Sequence, residues 1–322
     1  MRELITEACI RDVVCGLPEM ATWPEAAELL ASREDWVRYD WELPMMASRA
    51  AGGEEGAALP GCAAIACLQI SIILADDMLD QDPRGQHHRM GGGRAANLAL
   101  AFQAAAFARI GRAPFAADRR AAALAALAQA ALATAAGQEL DVRNLHGEEN
   151  YWRVVRAKST PFYGLALQLG ALAAGADAAV VQGLYDLEVL FGEMIQLYDD
   201  LVDAFETPAN PDWGEGRNNL AILYGGTADH PQRDRFVRLR PAAADLQILE
   251  EAQRILIECG AVSFCAYQIL QRQRAGRERL ARLALANPAP LREMLDRQAR
   301  PLASWLAGLG VSLPSALPGE PA

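Results

Sequence analysis

The sequence predicts an all-α protein, a single-domain bundle of about ten or more helices around a central apolar cavity. Apolar residues recur at helical spacing through most of the 322 residues, hydrophobic residues make up 52% of the chain, and no run of alternating residues indicates a strand. Alanine-rich and leucine-rich stretches supply enough apolar surface for one large core. We expect one domain over residues 1–311 and a flexible, proline-rich tail over residues 312–322.

The first half of the chain is expected to hold several helices separated by short breaks. A loop is expected at Ala51–Gly56, where glycine and glutamate interrupt the apolar spacing, and Asp82–Gly85 should end the longest helix because it contains proline and glycine. Alanine, the strongest helix former, dominates the last two helices. The predicted helices are residues 1–16, 23–49, 59–80, 95–110 and 117–136, with residues 137–141 closing the last of them.

The second half is expected to be helical as well. Pro161 should kink its first helix, because proline lacks a backbone donor and clashes with the preceding turn, and Lys158 lies just before this kink. Residues 207–219, rich in proline, glycine, aspartate and asparagine, should form a loop. The predicted helices are residues 148–174, 178–205, 241–260, 261–286 and 291–309, and the arginine run Arg272, Arg274, Arg277, Arg279 and Arg282 is interpreted as a solvated face.

Composition excludes several classes of function. A net charge of -11 argues against a nucleic-acid-binding surface, which needs clustered lysine and arginine. The six cysteines lie in apolar sequence without C-x-x-C spacing, as expected of reduced core residues in a cytoplasmic protein. The nearest candidate for a membrane span, residues 59–75, ends in acidic residues. We expect a soluble cytoplasmic protein with no nucleic-acid partner and no membrane span.

Two copies of the pattern D-D-x-x-D follow apolar runs in predicted helices. Residues four apart share a helix face, so each copy brings carboxylates together, and like charges repel unless they take up protons or bind cations. Clustered carboxylates suit Mg2+, which completes its shell with water and phosphate oxygens. One such pair would be a solvated surface, but two copies favour a site for a polyphosphate. The candidate catalytic residues are Asp76, Asp77, Asp80, Asp199, Asp200 and Asp203.

A diphosphate held by these aspartates would be a leaving group above an apolar chamber. Basic residues near kinks and loops are candidates to bind its oxygens, although each could instead be a surface cation; they are Arg84, Arg89, Lys158 and Arg217. Residues one or two turns before each acidic motif should line the chamber and keep water from a carbocation. These are Leu68, Gln69, Ser71, Ile72, Phe191 and Ile195.

Six short elements occur in an order typical of one family. They are Asp76–Asp80, Arg84-Gly85, Gly137-Gln138-Glu-Leu-Asp141, Lys158-Ser159, Gln196–Asp203 and Gly216-Arg217. Through them the chain resembles the trans-isoprenyl diphosphate synthases, the polyprenyl synthetase family of the class I isoprenoid synthase superfamily, over about residues 20–300. The resemblance implies an isoprenoid synthase fold, an allylic prenyl diphosphate substrate, three Mg2+ ions and a homodimer whose interface lies within residues 95–136.

The resemblance also implies roles for individual residues. The direct metal ligands would be Asp76, Asp80 and Asp199, assisted by Asp77, Asp200 and Asp203. The diphosphate would be bound by Arg84, Lys158, Gln196 and Arg217.

The region expected to bind a second, acceptor diphosphate departs from the family pattern. Elongating members have a glycine-glycine-lysine-arginine element where this chain has Arg38–Pro44, and a histidine where it has Gln69. The paired arginines after the first motif are reduced to Arg84. Asp40 and Glu42 would repel a second diphosphate. The ionisation site therefore resembles the family and the acceptor site does not.

Three functions agree with these features. The first, which we favour, is a terpene synthase that ionises a C15 or C20 allylic diphosphate and uses no isopentenyl diphosphate. The second is a chain-elongating prenyltransferase with an altered acceptor pocket, since Arg33, Arg49 or Arg89 could replace the missing cations. The third is a non-catalytic subunit of a heteromeric synthase. For the first, diphosphate itself is the expected final base, because no histidine or glutamate is obviously placed for proton abstraction.

Overall fold

The protein is described from a computed structural model that covers residues 5–31, 38–214 and 218–312. Helices make up most of these residues, and no strand occurs among them. The all-α prediction is confirmed. The helices are α1 (Glu7–Cys15), α2 (Pro18–Ala21), α3 (Pro24–Leu30), α4 (Leu43–Ala50), α5 (Leu59–Leu79), α6 (Gln86–Met90), α7 (Gly92–Gly111), α8 (Ala117–Val142), α9 (Glu148–Lys158), α10 (Thr160–Ala174), α11 (Ala178–Tyr185), α12 (Glu188–Ala204), α13 (Pro211–Gly214), α14 (Leu220–Thr227), α15 (Arg233–Leu239), α16 (Leu246–Glu258), α17 (Ala261–Ala281) and α18 (Ala289–Gly308), with 3-10 turns at Tyr39–Glu42, Glu55–Ala58 and Arg240–Ala242.

Helix α5 is the central element of the bundle. It is apolar on nearly all sides, as expected of a helix enclosed by others, and packs against α7, α1, α10 and α4. Helix α10 is equally apolar and lies between α4, α8 and α12, while α12 packs against α17. The two helices that carry the acidic motifs, α5 and α12, are thus both anchored on α10.

Two glycines allow the close helix contacts that position the motifs. A Cβ on Gly137 in α8 would lie 2.4 Å from the backbone nitrogen of Lys158, so only glycine lets α8 approach the end of α9 this closely. A Cβ on Gly192 in α12 would lie 2.9 Å from the Cα of Thr160 at the start of α10. The first contact brings α8 against Lys158, and the second brings α12 against the same break between α9 and α10.

Several predicted helix boundaries are wrong. Residues 137–141 continue α8 to Val142 and do not close it, and residues 86–93 are largely helical. The predicted helix at 178–205 is two helices, because Asp186 and Leu187 separate α11 from α12. Helices α14 and α15 were not predicted. The expected break near Pro161 is confirmed: Ser159 separates α9 from α10, with Pro161 in the first turn of α10.

Two stretches, residues 56–79 and 117–142, are long and apolar enough to cross a membrane by length and composition alone. The first includes α5, whose apolar surface packs against other helices, as in the core of many soluble proteins. The second is α8, which is less buried. The tail predicted at residues 312–322 lies outside the described residues except for Ser312.

Candidate active site

A cleft of about 490 Å³ opens between the ends of α5 and α12. It lies where both acidic motifs end, beside the break between α9 and α10. Most of its lining is polar or charged and includes Asp80, Asp82, Arg84, Asp141, Lys158, Ser159, Gln196, Asp200, Asp203, Glu206 and Asp212. The structure therefore brings the two motifs to one site.

The first motif lies at the end of α5. Asp80 is the C-cap of this helix, and Gln81 follows in the left-handed region with φ 53°. Burial raises the pKa of Asp77 to about 6, and the negative charges of Asp82 and Asp76 add to the rise. These carboxylates carry more negative charge than their protein neighbours balance.

The second motif repeats this imbalance more strongly. Enclosure by surrounding protein raises the pKa of Asp199 to about 8, and the charge of Asp203 adds to it. Although protein atoms surround its carboxyl group, Asp199 is exposed to solvent and therefore accessible to a ligand. Burial, with the charges of Asp212 and Glu206, raises the pKa of Asp203 to about 7. A cation would relieve this repulsion.

Lys158, the last residue of α9, lines the cleft and joins α5 to α8. Its Nζ donates to Asp76 Oδ1 at 2.9 Å and to Asp141 Oδ2 at 2.7 Å. Although burial alone would lower it, the pKa of Lys158 is raised by these two carboxylates. The side chain of Lys158 is thus 20% exposed and paired with carboxylates, and its role on a diphosphate stays a prediction.

Asp200 differs from the other aspartates because protein groups already satisfy it. It is buried, its Oδ2 accepts from the backbone N–H of Leu220 at 2.7 Å, and its Oδ1 accepts from Gln196 Nε2 at 2.9 Å. Asn219, the N-cap of α14, donates to the Asp200 backbone carbonyl at 2.8 Å. Asp200 therefore fixes the start of α14 and the orientation of Gln196.

The predicted diphosphate ligands are placed unequally. Arg84 lines the cleft with a side chain that is 76% exposed, and its Nη2 lies 3.1 Å from Asp82 Oδ2. The amide of Gln196 contacts Ser159 Oγ at 3.1 Å as well as Asp200. Arg217 lies outside the described residues. Roles of these residues on a diphosphate stay predictions.

The donor set fits Mg2+ chemically but does not form a finished cage. Among the described residues, no three histidine, cysteine, aspartate or glutamate side chains converge closely enough to hold a metal ion. Mg2+ commonly uses one or two carboxylates and takes its remaining ligands from water and substrate phosphate. Asp76, Asp80 and Asp199 could therefore hold it together with a bound diphosphate.

The six predicted chamber residues do not line the cleft. Leu68, Ser71 and Phe191 are buried, and Ile72 and Ile195 are half-buried and pack against the core. Gln69 is engaged by hydrogen bonds to two residues of the 3-10 turn Tyr39–Glu42. A chamber lined by these residues stays a prediction.

Sequence reasoning missed a buried ionic cluster behind the second motif. Glu193 in α12 is 3% exposed and accepts from Arg156 Nε and from Arg272 Nε, both at 2.6 Å. The Arg272 guanidinium lies 4.5 Å from the centroid of the Trp152 ring. Interpreting Arg272 as part of a solvated face was wrong, because it ties α17 to α12. The sequence did contain a signal for this cluster: Glu193 lies in an apolar run, and a buried carboxylate needs a cationic partner.

An all-helical bundle in which two D-D-x-x-D motifs face one cleft is the architecture of a class I isoprenoid synthase. A family model described as polyprenyl synthetase matches residues 43–243. The chain belongs to the polyprenyl synthetase family and is an enzyme of the class I isoprenoid synthase type.

Relatives and solved structures agree with this family. A short chain isoprenyl diphosphate synthase from Methanothermobacter thermautotrophicus is 26% identical over 257 residues, 74% of this chain and 78% of that one. Octaprenyl diphosphate synthase of Escherichia coli is 26% identical over 277 residues, 79% and 81% of the two chains. The structure of geranylgeranyl pyrophosphate synthetase from Geoglobus acetivorans has a TM-score of 0.78 at 20% identity, covering 91% of this chain and 96% of its own. These comparisons support a prenyl diphosphate synthase of this family and do not specifically support a terpene synthase.

Proposed function

We propose that this enzyme ionises an allylic prenyl diphosphate in the acidic cleft with the help of Mg2+, and that it completes the reaction without isopentenyl diphosphate. It would then be a terpene synthase on a polyprenyl synthetase scaffold, releasing diphosphate and an uncharged product. The proposed ionisation rests on the cleft and on the family. The proposed independence from isopentenyl diphosphate rests on the region around Asp40.

The cleft supports ionisation. Asp76, Asp80 and Asp199 would hold the metal, because Mg2+ prefers carboxylate oxygens as ligands. Burial and neighbouring carboxylates raise the pKa values of Asp77 and Asp199, and a bound cation would relieve this repulsion. Bound Mg2+ supplies Lewis-acid stabilisation of the negative charge that develops on the departing diphosphate. Lys158 lies 2.9 Å from Asp76 and can donate to phosphate oxygens from the same place. Asp200 keeps the second motif in position through Leu220.

The observation that carries the finer proposal is the carboxylate of Asp40 where a second diphosphate would need cations. Asp40 accepts from Gln69 Nε2 at 2.6 Å, and Gln69 Oε1 accepts from Trp41 Nε1 at 2.7 Å. The nearby Arg297 is already engaged: its guanidinium lies 3.6 Å from Glu42 Oε2 and 4.4 Å from the Tyr39 ring. A dianionic headgroup here would be repelled by Asp40.

Chain elongation is the second candidate, and the names of the relatives favour it. The matched proteins that cover most of this chain are named as prenyl diphosphate synthases. A shorter match, 36% identical over 80 residues, is to component 2 of the heptaprenyl diphosphate synthase of Geobacillus stearothermophilus. This match supports a third candidate function, that of one subunit in a heteromeric synthase. Under elongation, product would form only when isopentenyl diphosphate is supplied.

The products separate these candidates. Purified protein with Mg2+ would be incubated with C10, C15 and C20 allylic diphosphates, with and without isopentenyl diphosphate, and both the hexane extract and the dephosphorylated products would be analysed. We expect hydrocarbon or alcohol without isopentenyl diphosphate, lost in Asp76→Ala. Longer prenyl alcohols that appear only with isopentenyl diphosphate would establish elongation, and no product in any mixture would favour the subunit.

We further propose a C15 or C20 substrate, since Ser71 and Ile72 leave room where aromatic side chains would shorten a chamber. Ser71→Phe should then shift the preference to a shorter substrate, and unchanged preference would contradict this. We also propose a cytoplasmic homodimer of single-domain chains. Leu100 in α7 and Leu132 in α8, 65% and 74% exposed, support an interface on these helices. Light scattering of the wild type and of a Leu100→Glu/Leu132→Glu variant would test it.

A further inference from the structure

The carboxylate of Asp40 has a free oxygen. Asp40 Oδ2 is taken by Gln69 Nε2 at 2.6 Å, whereas Oδ1 accepts no hydrogen bond from any residue that the structure describes. Oδ1 is also not among the polar atoms sealed from solvent without a partner. The carboxylate is thus held through one oxygen and can react through the other.

Two side chains hold Asp40 in a fixed orientation. Gln69 lies two helical turns before Asp76 on the same face of α5, so the network is tied to the helix that carries the first motif. Trp41, 1% exposed, donates to Gln69 Oε1 and thereby leaves the Gln69 amide nitrogen directed at Asp40. The Arg38 guanidinium packs over the Trp41 ring at 4.4 Å. Such support is what a positioned reactive group requires.

The groups that face Asp40 come from three further helices. Arg297 of α18 is the cation that favours its ionised form. Burial raises the pKa of Asp199 in α12 and of Tyr163 in α10, and the negative charge of Asp40 adds to both rises. Burial raises the pKa of Asp40 to about 6, so the group is ionised at neutral pH yet basic enough to take a proton. Tyr163 packs edge to face against Phe191, with ring centroids 5.3 Å apart. The charge of Asp40 thus interacts with groups on α10, α12 and α18.

We propose that Asp40, and not the departing diphosphate expected from the sequence, is the proton acceptor that ends the reaction, a role that rests on the proposed terpene synthase function. The prenyl carbon–oxygen bond breaks and diphosphate leaves with the electron pair. A carbon–hydrogen bond next to the cationic carbon then breaks, its electron pair forms the carbon–carbon double bond, and the proton binds Asp40 Oδ1. Loss of this proton to solvent restores the carboxylate. The amide of Gln69 and the indole of Trp41 are positioning groups.

The variant Asp40→Asn tests this assignment. Asparagine can still accept from Gln69 through its Oδ1, but it has no basic oxygen. With Mg2+ and C15 or C20 allylic diphosphate, we expect diphosphate release to stay within about threefold of wild type while the hydrocarbon share of the product falls at least about tenfold in favour of alcohols. Glu42→Gln is the matched control, because Glu42 ends the same 3-10 turn and pairs with Arg297 instead.

The outcomes separate the two proposals. Wild-type protein that releases no diphosphate without isopentenyl diphosphate would overturn the proposed function. Normal diphosphate release by Asp40→Asn with an unchanged hydrocarbon share would overturn the role of Asp40 alone. If circular dichroism shows that Asp40→Asn is unfolded, the wild-type hydrocarbon-to-alcohol ratio decides. It should rise as pH increases through about 6, where Asp40 becomes ionised, and a flat ratio from pH 5 to 8 would contradict the assignment.

Discussion

The acidic cleft and the Asp40 region are both built from carboxylates, but they balance their charge in opposite ways. Among the described residues of the cleft, Asp77 is repelled by Asp82 and Asp76, Asp199 is repelled by Asp203, and Lys158 hydrogen-bonds to Asp76 and Asp141. At Asp40, one carboxylate is held by an amide and faces Arg297, which Glu42 also engages. The residues that line the cleft carry more negative than positive charge, so the cleft would bind a metal ion together with a diphosphate. Around Asp40, the part of the chain that the structure describes shows no surplus cation for a second diphosphate.

The largest effect is expected from Asp199→Asn in the cleft. Removing this carboxylate should lower kcat for diphosphate release by about 10³-fold or more, because a metal ligand that acts on the leaving group is lost. Asp186→Asn, just before α12, is the control: Asp186 pairs with Arg279 at 3.2 Å, away from the motif. A phosphate-coupled assay measures kcat for diphosphate release. Values within about threefold of each other for the two variants would mean that Asp199 takes no part in the reaction.

A smaller loss is expected from Lys158→Gln. Its amide can still contact Asp76 or Asp141 but brings no charge to a diphosphate, so kcat/KM should fall about 10- to 100-fold. Arg153→Gln, on the exposed face of the same helix, should leave kcat/KM unchanged. Equal values for the two variants would mean that Lys158 only joins α8 to α5.

The pH dependence of stability should show the charge imbalance of the cleft directly. Asp199 and Asp203 have folded-state pKa values raised to about 8 and about 7, so the folded chain holds protons that the unfolded chain has released. Without metal, the stability from these protons is present at low pH and is lost as pH rises from about 4 to 8. The melting temperature should therefore fall by roughly a few degrees across this window in EDTA, and less in Mg2+ with inorganic diphosphate. Identical melting curves at pH 8 in EDTA and in Mg2+ with diphosphate would contradict a metal site.

The smallest effect is expected at the Asp40 region. Trp41→Phe removes the donor to Gln69 Oε1 and should lower the free energy of unfolding by about 1–2 kcal/mol. Urea denaturation measures this free energy. Trp152→Phe is the comparison, because the Trp152 indole donates to the exposed Glu148 at 3.2 Å. If the two variants lose the same stability, the network around Gln69 contributes nothing beyond an ordinary surface bond.

The same contrast explains how much the sequence could predict. The apolar character of α5, the break near Pro161 and the two D-D-x-x-D patterns are local features, and each was predicted from neighbouring residues. The end of α8 was not: residues 137–141 continue the helix, and Asp141 near its end pairs with Lys158, a contact that no local pattern reveals. Asp40 was predicted to repel a diphosphate, but its hydrogen bond to Gln69 joins residues 29 positions apart and no local pattern reveals it.

We infer that the chain has one site for a diphosphate and not two. Isothermal titration of Mg2+-loaded protein would test it, using a non-ionisable thiolodiphosphate analogue of the allylic substrate first and isopentenyl diphosphate second. We expect one analogue bound per chain and no heat from isopentenyl diphosphate below about 1 mM. Saturable binding of isopentenyl diphosphate to the analogue-loaded enzyme at micromolar concentration would contradict it and favour chain elongation.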